Sequence, residues 1–350
     1  WPAAGRRGLA LGALAAVAVA AFLLELMLGS VRIPLADVVR ILGGHDVGQP
    51  AWTHIVLRFR LPRALTAAAA GSALAVCGLA LQTLFRNPLA GPWILGVTGG
   101  ARLGVALLLL ASSVAGFHGY GALGTLGLGA SASLAAAASL GSTAVLLAMA
   151  AVARRVNAVT LLIFGVMLTF LGGGLTSVVM HFTSEEHGRV FESWNDGSFG
   201  GVTWGQVRVL LPLVALGLTA AALLVKPLNA LLLGERYART LGLSVRRARH
   251  AVLGAVAVLA GSVTAYAGVV AFVDIAVPHL CRGLLRTEDH RALVPAAALM
   301  GAALALLADL LTHVPGSNQV LHLNAITAVV GAPVVLWVLF RGAQVRRGDA

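Results

Sequence analysis

The segment LQTLFRNPLAGPWILGVTGG, Leu81–Gly100, separates two long apolar runs and contains two prolines and four glycines. Arg86 and Asn87 stand where a chain that crosses a membrane would leave one helix before entering the next. Non-helical backbone at membrane depth is tolerated only where protein or a water-filled cavity satisfies its polar groups. The segment is therefore either an ordinary tight turn with an interfacial arginine or a functional constriction, and its residues alone leave both open.

The apolar runs predict an all-α polytopic membrane protein. Of the 350 residues, 59% are hydrophobic and 11% are charged, with a mean hydropathy of +0.90, whereas a soluble domain has about 25% charged residues. The runs are continuous and approach the roughly 20 residues that cross a bilayer as a helix, without the alternation of a β-barrel. We expect about ten transmembrane helices, near residues 8–30, 62–84, 93–112, 120–152, 158–181, 204–225, 249–268, 270–284, 291–312 and 321–340.

The formal net charge of +12 indicates orientation in a bilayer and not an affinity for nucleic acid, because the charges flank apolar runs. With a cytoplasmic N-terminus and ten crossings, most of the arginines fall on the cytoplasmic side. Basic residues are enriched on that side of membrane proteins, so we expect both termini in the cytoplasm. The single lysine, Lys226, precedes Pro227, so the chain lacks the Gly-Lys-Ser/Thr element of an ATP-binding P-loop.

Two connecting segments are too long to be simple turns. The outer one, 182–203, reads FTSEEHGRVFESWNDGSFGGVT, and the cytoplasmic one, 226–249, reads KPLNALLLGERYARTLGLSVRRAR. The second is basic and amphipathic, and Gly234 and Gly242 divide it into short helical pieces. It is either a surface helix on anionic lipid or a docking element for a cytoplasmic partner.

Four ordered blocks over residues 55–341 resemble FecCD-type permeases, the membrane subunits of ABC importers for iron–siderophores, haem and cobalamin. The first runs RLPRALTAAAAGSALAVCGLALQTLFRNPLAGPWILGVTGGA, Arg60–Ala101. The second is LNALLLGERYARTLGLSV, Leu228–Val245, and the third is GVVAFVDIAVPHLCRGLLRTEDHRALVPAAALMGAALALLADLL, Gly268–Leu311. The fourth is NAITAVVGAPVVLWVLFR, Asn324–Arg341.

The resemblance implies a type II ABC importer permease, with residues 1–350 forming a single transmembrane permease domain in the bacterial cytoplasmic (inner) membrane. It implies a homodimer in the lipid bilayer, two cytoplasmic P-loop ATPase subunits and an extracytoplasmic substrate-binding protein. The missing P-loop agrees with this division of labour. We therefore expect a transport subunit that is not an enzyme and has no cofactor, catalytic residue or metal site.

The expected cargo is an iron chelate, with a ferric siderophore ahead of haem and cobalamin. An ion-coupled secondary transporter is the alternative of a different class. It needs carboxylates in the middle of the membrane, for which Glu25, Asp274 and Asp309 are candidates. It gives no reason for the patterned segment 226–249.

By resemblance, Asn87 and Leu89 match the family's cytoplasmic gate between the second and third helices. The other gate lies between the fourth and fifth helices, where this chain has Asn157–Thr160, so Asn157 and Thr160 are assigned to it by location. His279 is expected to cap or bridge helices near the cytoplasmic face. The residues that match the ATPase-coupling helices are Gly234, Glu235, Ala238, Leu241 and Gly242.

On the outer face, Arg60 and Arg63 match arginines that pair with acids of the binding protein, and charge complementarity of this kind steers a partner. Anchoring of a helix end at lipid headgroups is the simpler interpretation. The family often has a third arginine where this chain has His313, which would make that contact sensitive to pH. Arg102 lies inside a span, so it is a candidate for the transport pathway, or else it pairs with Asp274 or Asp309 or reaches the interface.

Overall fold

The computed structural model describes residues 2–115, 129–313 and 321–348, and every regular element in these ranges is a helix. The helices in chain order are α1 Pro2–Met27, α2 Leu35–Leu42, α3 Pro50–His54, α4 Leu61–Phe85, α5 Val97–Val114, α6 Ala130–Ala153, α7 Ala158–His181, α8 Glu185–Asn195, α9 Trp204–Leu223, α10 Val225–Leu232, α11 Glu235–Thr240, α12 Val245–Ala267, α13 Val273–Leu285, α14 His290–Thr312 and α15 Leu323–Gly348. A π-helical turn, Ile55–Arg60, joins α3 to α4, and a 3-10 turn, Pro92–Leu95, precedes α5.

The prediction of an all-helical polytopic membrane protein is confirmed. Eight helical stretches in the described residues are long and apolar enough to cross a membrane, and they correspond to eight of the ten predicted crossings. The predicted eighth crossing, 270–284, is the 13-residue helix α13, which spans about 20 Å against a hydrocarbon core of about 30 Å. The predicted tenth crossing lies within α15, in which Leu323–Leu336 form an apolar helix among the residues whose side chains the structure describes.

The predicted fourth crossing, 120–152, is too long because its helix begins at Ala130, while residues 116–128 lie outside the described ranges. The outer segment 182–203 contains a helix of its own, α8. The cytoplasmic segment 226–249 contains most of α10, all of α11 and the start of α12, with a break at Gly234 as the sequence predicts. Both segments are therefore structured.

Helix α4 forms the centre of the molecule and packs most closely against α14. A Cβ atom added to Gly71 would lie 2.1 Å from the carbonyl oxygen of Gly301, and one added to Gly301 would lie 2.2 Å from that of Gly71. Small residues allow the backbones of membrane helices to approach this closely. The two glycines therefore fix α4 and α14 against each other.

Helices α5, α6 and α7 form a second layer. A Cβ atom on Gly141 of α6 would lie 2.0 Å from the carbonyl oxygen of Gly100. The contact between α5 and α7 is looser, because a Cβ atom on Gly99 would lie 3.3 Å from the Cα atom of Thr169. This difference leaves room for a pocket farther along the α5–α7 contact, which is described below.

The irregular segment between α4 and α5 rises beside α7. Helix α4 ends at Arg86, whose φ of 49° is left-handed, and α5 begins only at Val97. The carbonyl oxygen of Trp93 accepts a 2.8 Å hydrogen bond from Thr169, and Ile94 packs against Gly165, roughly 10 Å along the axis of α7 from its start. The third membrane helix therefore begins inside the bilayer depth, four residues later than the sequence predicts, and its irregular approach is buried against protein.

Candidate functional site: the gates, the coupling segment and the outer face

The first predicted gate, at Asn87 and Leu89, is a turn held by its own asparagine. The Asn87 Oδ1 atom accepts a 3.0 Å hydrogen bond from the Leu89 amide. His279 of α13 lies across the turn, with its Nε2 atom 2.9 Å from the carbonyl oxygen of Pro88. His279 therefore ties the turn to α13, whereas the sequence predicts a cap or a bridge between helices.

A cleft of about 320 Å³ opens beside this turn, between the ends of α4 and α13. Arg282 crosses it, with its Nη1 atom 2.6 Å from Gln82 Oε1 and its Nε atom 3.0 Å from Glu288. Gln82 in turn donates weakly to the carbonyl oxygens of Asp274 and Ile275, at 3.5 and 3.4 Å. The turn is thus part of a polar network and not a bare connection.

The second predicted gate is the start of α7. Asn157 is the N-cap residue, and its Oδ1 atom accepts a 2.8 Å hydrogen bond from the Thr160 amide. A cap of this kind fixes the entry of the chain into the helix and is worth about 1 kcal/mol. The two residues assigned here by location are therefore in direct contact.

The coupling segment is built from α10 and α11, which meet at Gly234. Gly234 and Gly242 have φ values of 101° and 80°, a region in which residues with a Cβ atom are strained. Ala238 is buried, whereas Tyr237 and Leu241 are more than half exposed. The segment therefore presents apolar side chains outward on a rigid, glycine-bounded helix.

A buried arginine links this segment to the second gate. The Arg249 Nη2 atom lies 2.8 Å from Glu235 Oε1, and its Nη1 atom donates at 2.7 Å to the carbonyl oxygen of Val156, next to Asn157. A weaker bond at 3.4 Å reaches the carbonyl oxygen of Ala153. The sequence alone does not single out Arg249, because it is the last of three arginines in the run RRAR, 246–249.

A second set of hydrogen bonds links the segment to the first gate. The Asn229 side chain of α10 donates at 2.6 Å to Asp289 and accepts at 2.9 Å from the amide of His290. The buried His290 ring lies 2.8 Å from Thr83 Oγ1, near the end of α4. The Arg291 amide holds the pKa of Asp289 below its usual value, so Asp289 is ionised where it accepts these bonds.

Arg60 and Arg63, which the resemblance assigns to docking of a binding protein, both make hydrogen bonds within the chain. Arg63 binds Asp309 through two hydrogen bonds of 2.5 and 2.7 Å, and its Nε atom lies 3.4 Å from Glu25. Its Nη1 atom lies 2.8 Å from the ring of His313, whose pKa is lowered by burial and by the charge of Arg63. We call Glu25, Arg63, Asp309 and His313 the outer charge cluster.

Arg60 lies beside the outer charge cluster and is only 8% exposed. It donates to the carbonyl oxygens of Leu26 and Val31, at 2.8 and 2.5 Å. Contact of Arg60 or Arg63 with a binding protein stays a prediction, and it requires that these internal bonds be shared or exchanged. The cluster forms one wall of an outer cleft of about 550 Å³, whose other wall includes Arg189, Glu192 and Asp196.

Arg102 lies in a different setting, between α5, α7 and α8. Within the described residues its side chain makes no ion pair and no hydrogen bond, and its Nε atom is buried. The alternatives that it pairs with Asp309 or Asp274 are wrong: Asp309 is taken by Arg63, and Asp274 lies in the first turn of α13. The pocket that contains Arg102 is analysed below.

These features define a class: a polytopic helical membrane protein in which a buried irregular segment precedes one membrane helix and two short helices are hydrogen-bonded to its neighbours. The model of the FecCD transport family matches residues 17–341. The chain therefore belongs to the FecCD transport family.

Similar proteins agree with this assignment. The chain is 35% identical over 333 residues to the hemin transport system permease protein HmuU of Yersinia pestis, covering 93% of this chain and 95% of that protein. It is 36% identical over 300 residues to the vitamin B12 import system permease protein BtuC of Escherichia coli O157:H7, covering 85% and 87%. A solved inward-facing structure, assigned to the metal-chelate type of ABC transporters, superposes with a TM-score of 0.81 at 26% identity, covering 95% and 98%.

The chain is thus a permease subunit of an ABC importer for a metal chelate, haem or cobalamin, and it is a transport component and not an enzyme. Such a subunit works with ATPase partners and a binding protein. This agrees with the absence of a P-loop from the sequence.

Proposed function

We propose that two copies of this chain form the inward pathway for an iron chelate in the cytoplasmic membrane. Two ATPase subunits dock on segment 226–249, and a binding protein delivers the chelate to the outer face. A ferric siderophore is the first candidate cargo. Haem is the second, supported by the similarity to a hemin permease, and cobalamin is the third, supported by the similarity to vitamin B12 permeases.

The observation that carries this proposal is the pair of polar connections from the coupling segment to both gates. Glu235 reaches the carbonyl oxygen before Asn157 through Arg249, and Asn229 reaches the end of α4 through His290. A displacement of α10 and α11 would thereby reach both gates. One connection contains the ion pair of Glu235 with Arg249, and charge-assisted hydrogen bonds of this kind are short and directional. The other runs through ordinary hydrogen bonds of Asn229, His290 and Thr83. The exposed side chains of Tyr237 and Leu241 are the surface on which an ATPase would act.

The hydrogen bonds from α10 and α11 to the two gates imply the following transport cycle. ATP binding closes the ATPase pair and moves α10 and α11. This motion shifts the turn at Asn87 and Leu89 and the loop at Asn157 and Thr160, so that the pathway opens to one side and closes to the other. This is alternating access, with no covalent chemistry in this chain.

The ion-coupled alternative has less support from the geometry. Of its three candidate carboxylates, Asp309 is held bidentately by Arg63, and Glu25 lies 3.4 Å from the same arginine. Carboxylates fixed by an arginine are poor carriers of a proton or cation through a transport cycle. Asp274 is the remaining candidate, and it makes no ion pair with any described residue.

The test uses proteoliposomes that contain the permease, its ATPase and its binding protein, loaded with ⁵⁵Fe-labelled chelates. We expect uptake that requires ATP and persists when ionophores abolish ion gradients. Arg249→Gln should leave the ATPase bound but lower the uptake per ATP hydrolysed by about tenfold, since a buried charge-assisted bond contributes about 1.5–3 kcal/mol.

The matched control is Arg6→Gln, an exposed arginine in α1 that is far along the chain from the coupling segment. It should leave uptake per ATP unchanged. Uptake that is driven by an ion gradient without the ATPase would contradict the proposed function. Equal uptake per ATP in wild type and Arg249→Gln would remove Arg249 from the coupling path.

A further inference from the structure

A pocket of about 410 Å³ lies between α5, α7 and α8, on the outer half of the molecule. Its walls include Arg102 from α5, Thr176 and Ser177 from α7, and Glu192 and Asn195 from α8. Ser177 and Glu192 are exposed, so the pocket opens on the surface of this chain. Nothing in the proposed gate or coupling mechanism uses these residues.

Three polar atoms in the pocket wall are buried and have no hydrogen-bond partner in the described residues. They are Arg102 Nε, Thr176 Oγ1 and Asn195 Oδ1. Buried polar groups in proteins are nearly always paired, and an unpaired one costs about 1–3 kcal/mol. Three such atoms around one cavity indicate a surface shaped for a ligand that supplies the missing partners. Arg102 Nε and the Thr176 hydroxyl can donate to an acceptor group, whereas Asn195 Oδ1 accepts and requires a donor such as a hydroxyl of the same ligand.

The charged and polar groups of the pocket indicate which chemical class of ligand would bind there. Arg102 makes no ion pair with Glu192 or with any other described acid, although its guanidinium is partly buried, with the Nε atom fully covered, and would gain from an anion. A planar guanidinium matches a carboxylate in geometry, and the Thr176 hydroxyl is a further donor to the same group. The arrangement therefore favours a carboxylate over a cation or a neutral amide.

We propose that the Arg102 pocket is a substrate-binding site in the pathway, which holds a carboxylate of an anionic iron chelate. The proposal rests on the proposed import function and narrows its cargo to chelates with free carboxylates. The phosphate of an anionic lipid offers the same oxyanion chemistry, and an acid from a second copy of the chain offers the same charge. The experiment separates these sources.

The experiment measures thiol labelling at Ser177→Cys in the assembled importer, in nanodiscs and without ATP. The two native cysteines, Cys77 and Cys281, are fully buried and stay in place. Each sample is labelled with the anionic sulfonatoethyl and the cationic trimethylammonioethyl methanethiosulfonate. Because no ATP is used, the outcome does not depend on whether transport is ATP-driven.

We expect the ratio of anionic to cationic labelling rates to fall about tenfold when Arg102→Gln is added, from the loss of one nearby charge. Arg208→Gln, an exposed arginine in α9, is the matched control and should leave the ratio unchanged. Haem or ferric citrate should slow labelling only when Arg102 is present, and haem dimethyl ester should not.

Several results would overturn the proposal. One is an unchanged ratio in Arg102→Gln, which is also the result expected if an acid of the second copy neutralises Arg102. Others are a Ser177→Cys thiol that neither reagent reaches, and labelling that neither haem nor ferric citrate slows. Slowing by phosphatidylglycerol nanodiscs relative to phosphatidylcholine nanodiscs, without slowing by a chelate, would assign the pocket to lipid.

Discussion

Arg63 and Arg102 are both arginines within membrane helices, but their surroundings are opposite. Arg63 is held by two hydrogen bonds to Asp309, with Glu25 and His313 close by. Arg102 has no partner in the described residues and faces a pocket. An arginine inside a membrane is costly, and pairing is one way to retain it. The pairing at Arg63 is typical of a structural role, and the missing pairing at Arg102 is typical of a binding site.

One helix contact near each arginine differs in the same way, although α5 packs as closely against α6 at Gly100 and Gly141 as α4 packs against α14. Arg63 lies on α4, whose contact with α14 brings Gly71 and Gly301 so close that a methyl group does not fit. Arg102 lies on α5. At the contact of α5 with α7, a methyl group on Gly99 would require its neighbours to move by only a few tenths of an ångström. The rigid contact supports a fixed charge cluster, and the looser one borders a cavity.

The largest expected effect is that of Arg63→Gln. It leaves Glu25 and Asp309 as neighbouring buried carboxylates without their cation, and removing one partner of a buried ion pair costs about 3–5 kcal/mol. Thermal unfolding of the purified protein in detergent should show a large fall in the midpoint, against no change for Arg208→Gln. A midpoint within a degree of wild type would show that the outer charge cluster is not structural.

Gly301→Ala should have the next largest effect. The added methyl group meets the carbonyl oxygen of Gly71, and overpacking of this kind costs about 1–3 kcal/mol. Gly99→Ala, at the α5–α7 contact, should cost less, and Gly174→Ala, with open space around it, should be neutral or stabilising. The same unfolding assay ranks the three, and an equal loss for Gly99→Ala and Gly301→Ala would contradict the difference in packing.

Arg102→Gln should change stability little, or raise it by up to about 1 kcal/mol, because it removes a partly buried charge without leaving an unpaired partner. This is the direct opposite of Arg63→Gln, although the substitution is the same. The unfolding midpoints of the two variants, measured side by side, give the comparison. A fall for Arg102→Gln as large as that for Arg63→Gln would show that Arg102 has a structural partner.

The smallest effect is the dependence of stability on pH at His313. Burial and the charge of Arg63 hold the pKa of this residue below its ordinary value, while the unfolded chain binds a proton near pH 6.5. The unfolded state is therefore favoured progressively as the pH falls below about 6.5, and stability from this group is complete only above that pH. His313→Gln should flatten the fall in unfolding midpoint between pH 7 and 5, whereas substitution of the exposed His45 should not. An unchanged slope would contradict the assignment.

Most of the fold could be predicted from hydrophobicity alone. Eight of the predicted crossings are long helices, because a continuous apolar run has no other stable form in a bilayer. The late start of α5 could not be predicted, since it depends on the packing of Ile94 against Gly165 of α7. The short length of α13 could not be predicted either, because its ends are fixed by Phe272 and Arg286, which adopt left-handed backbone conformations.

The residues of the candidate site likewise form two groups, those that the sequence identifies and those that it does not. Asn87 and Glu235 could be assigned from motifs, which record local sequence. Arg249 and His290 could not, because their partners lie far along the chain and nothing local distinguishes Arg249 from its basic neighbours. Likewise, no sequence pattern shows that Asp309 is bound by Arg63 and is therefore not available to pair with Arg102.

The most direct test of the contrast between the two arginines is uptake per assembled importer. Proteoliposomes with the ATPase and binding protein would be supplied with ⁵⁵Fe-haem and ⁵⁵Fe-citrate, for wild type and Arg102→Gln. We predict that Arg102→Gln unfolds at the wild-type midpoint or above and hydrolyses ATP normally, yet takes up the delivered chelate about tenfold more slowly, as expected for the loss of one charge-assisted contact. Uptake at the wild-type rate, or a loss of uptake that only parallels a loss of stability, would contradict the account.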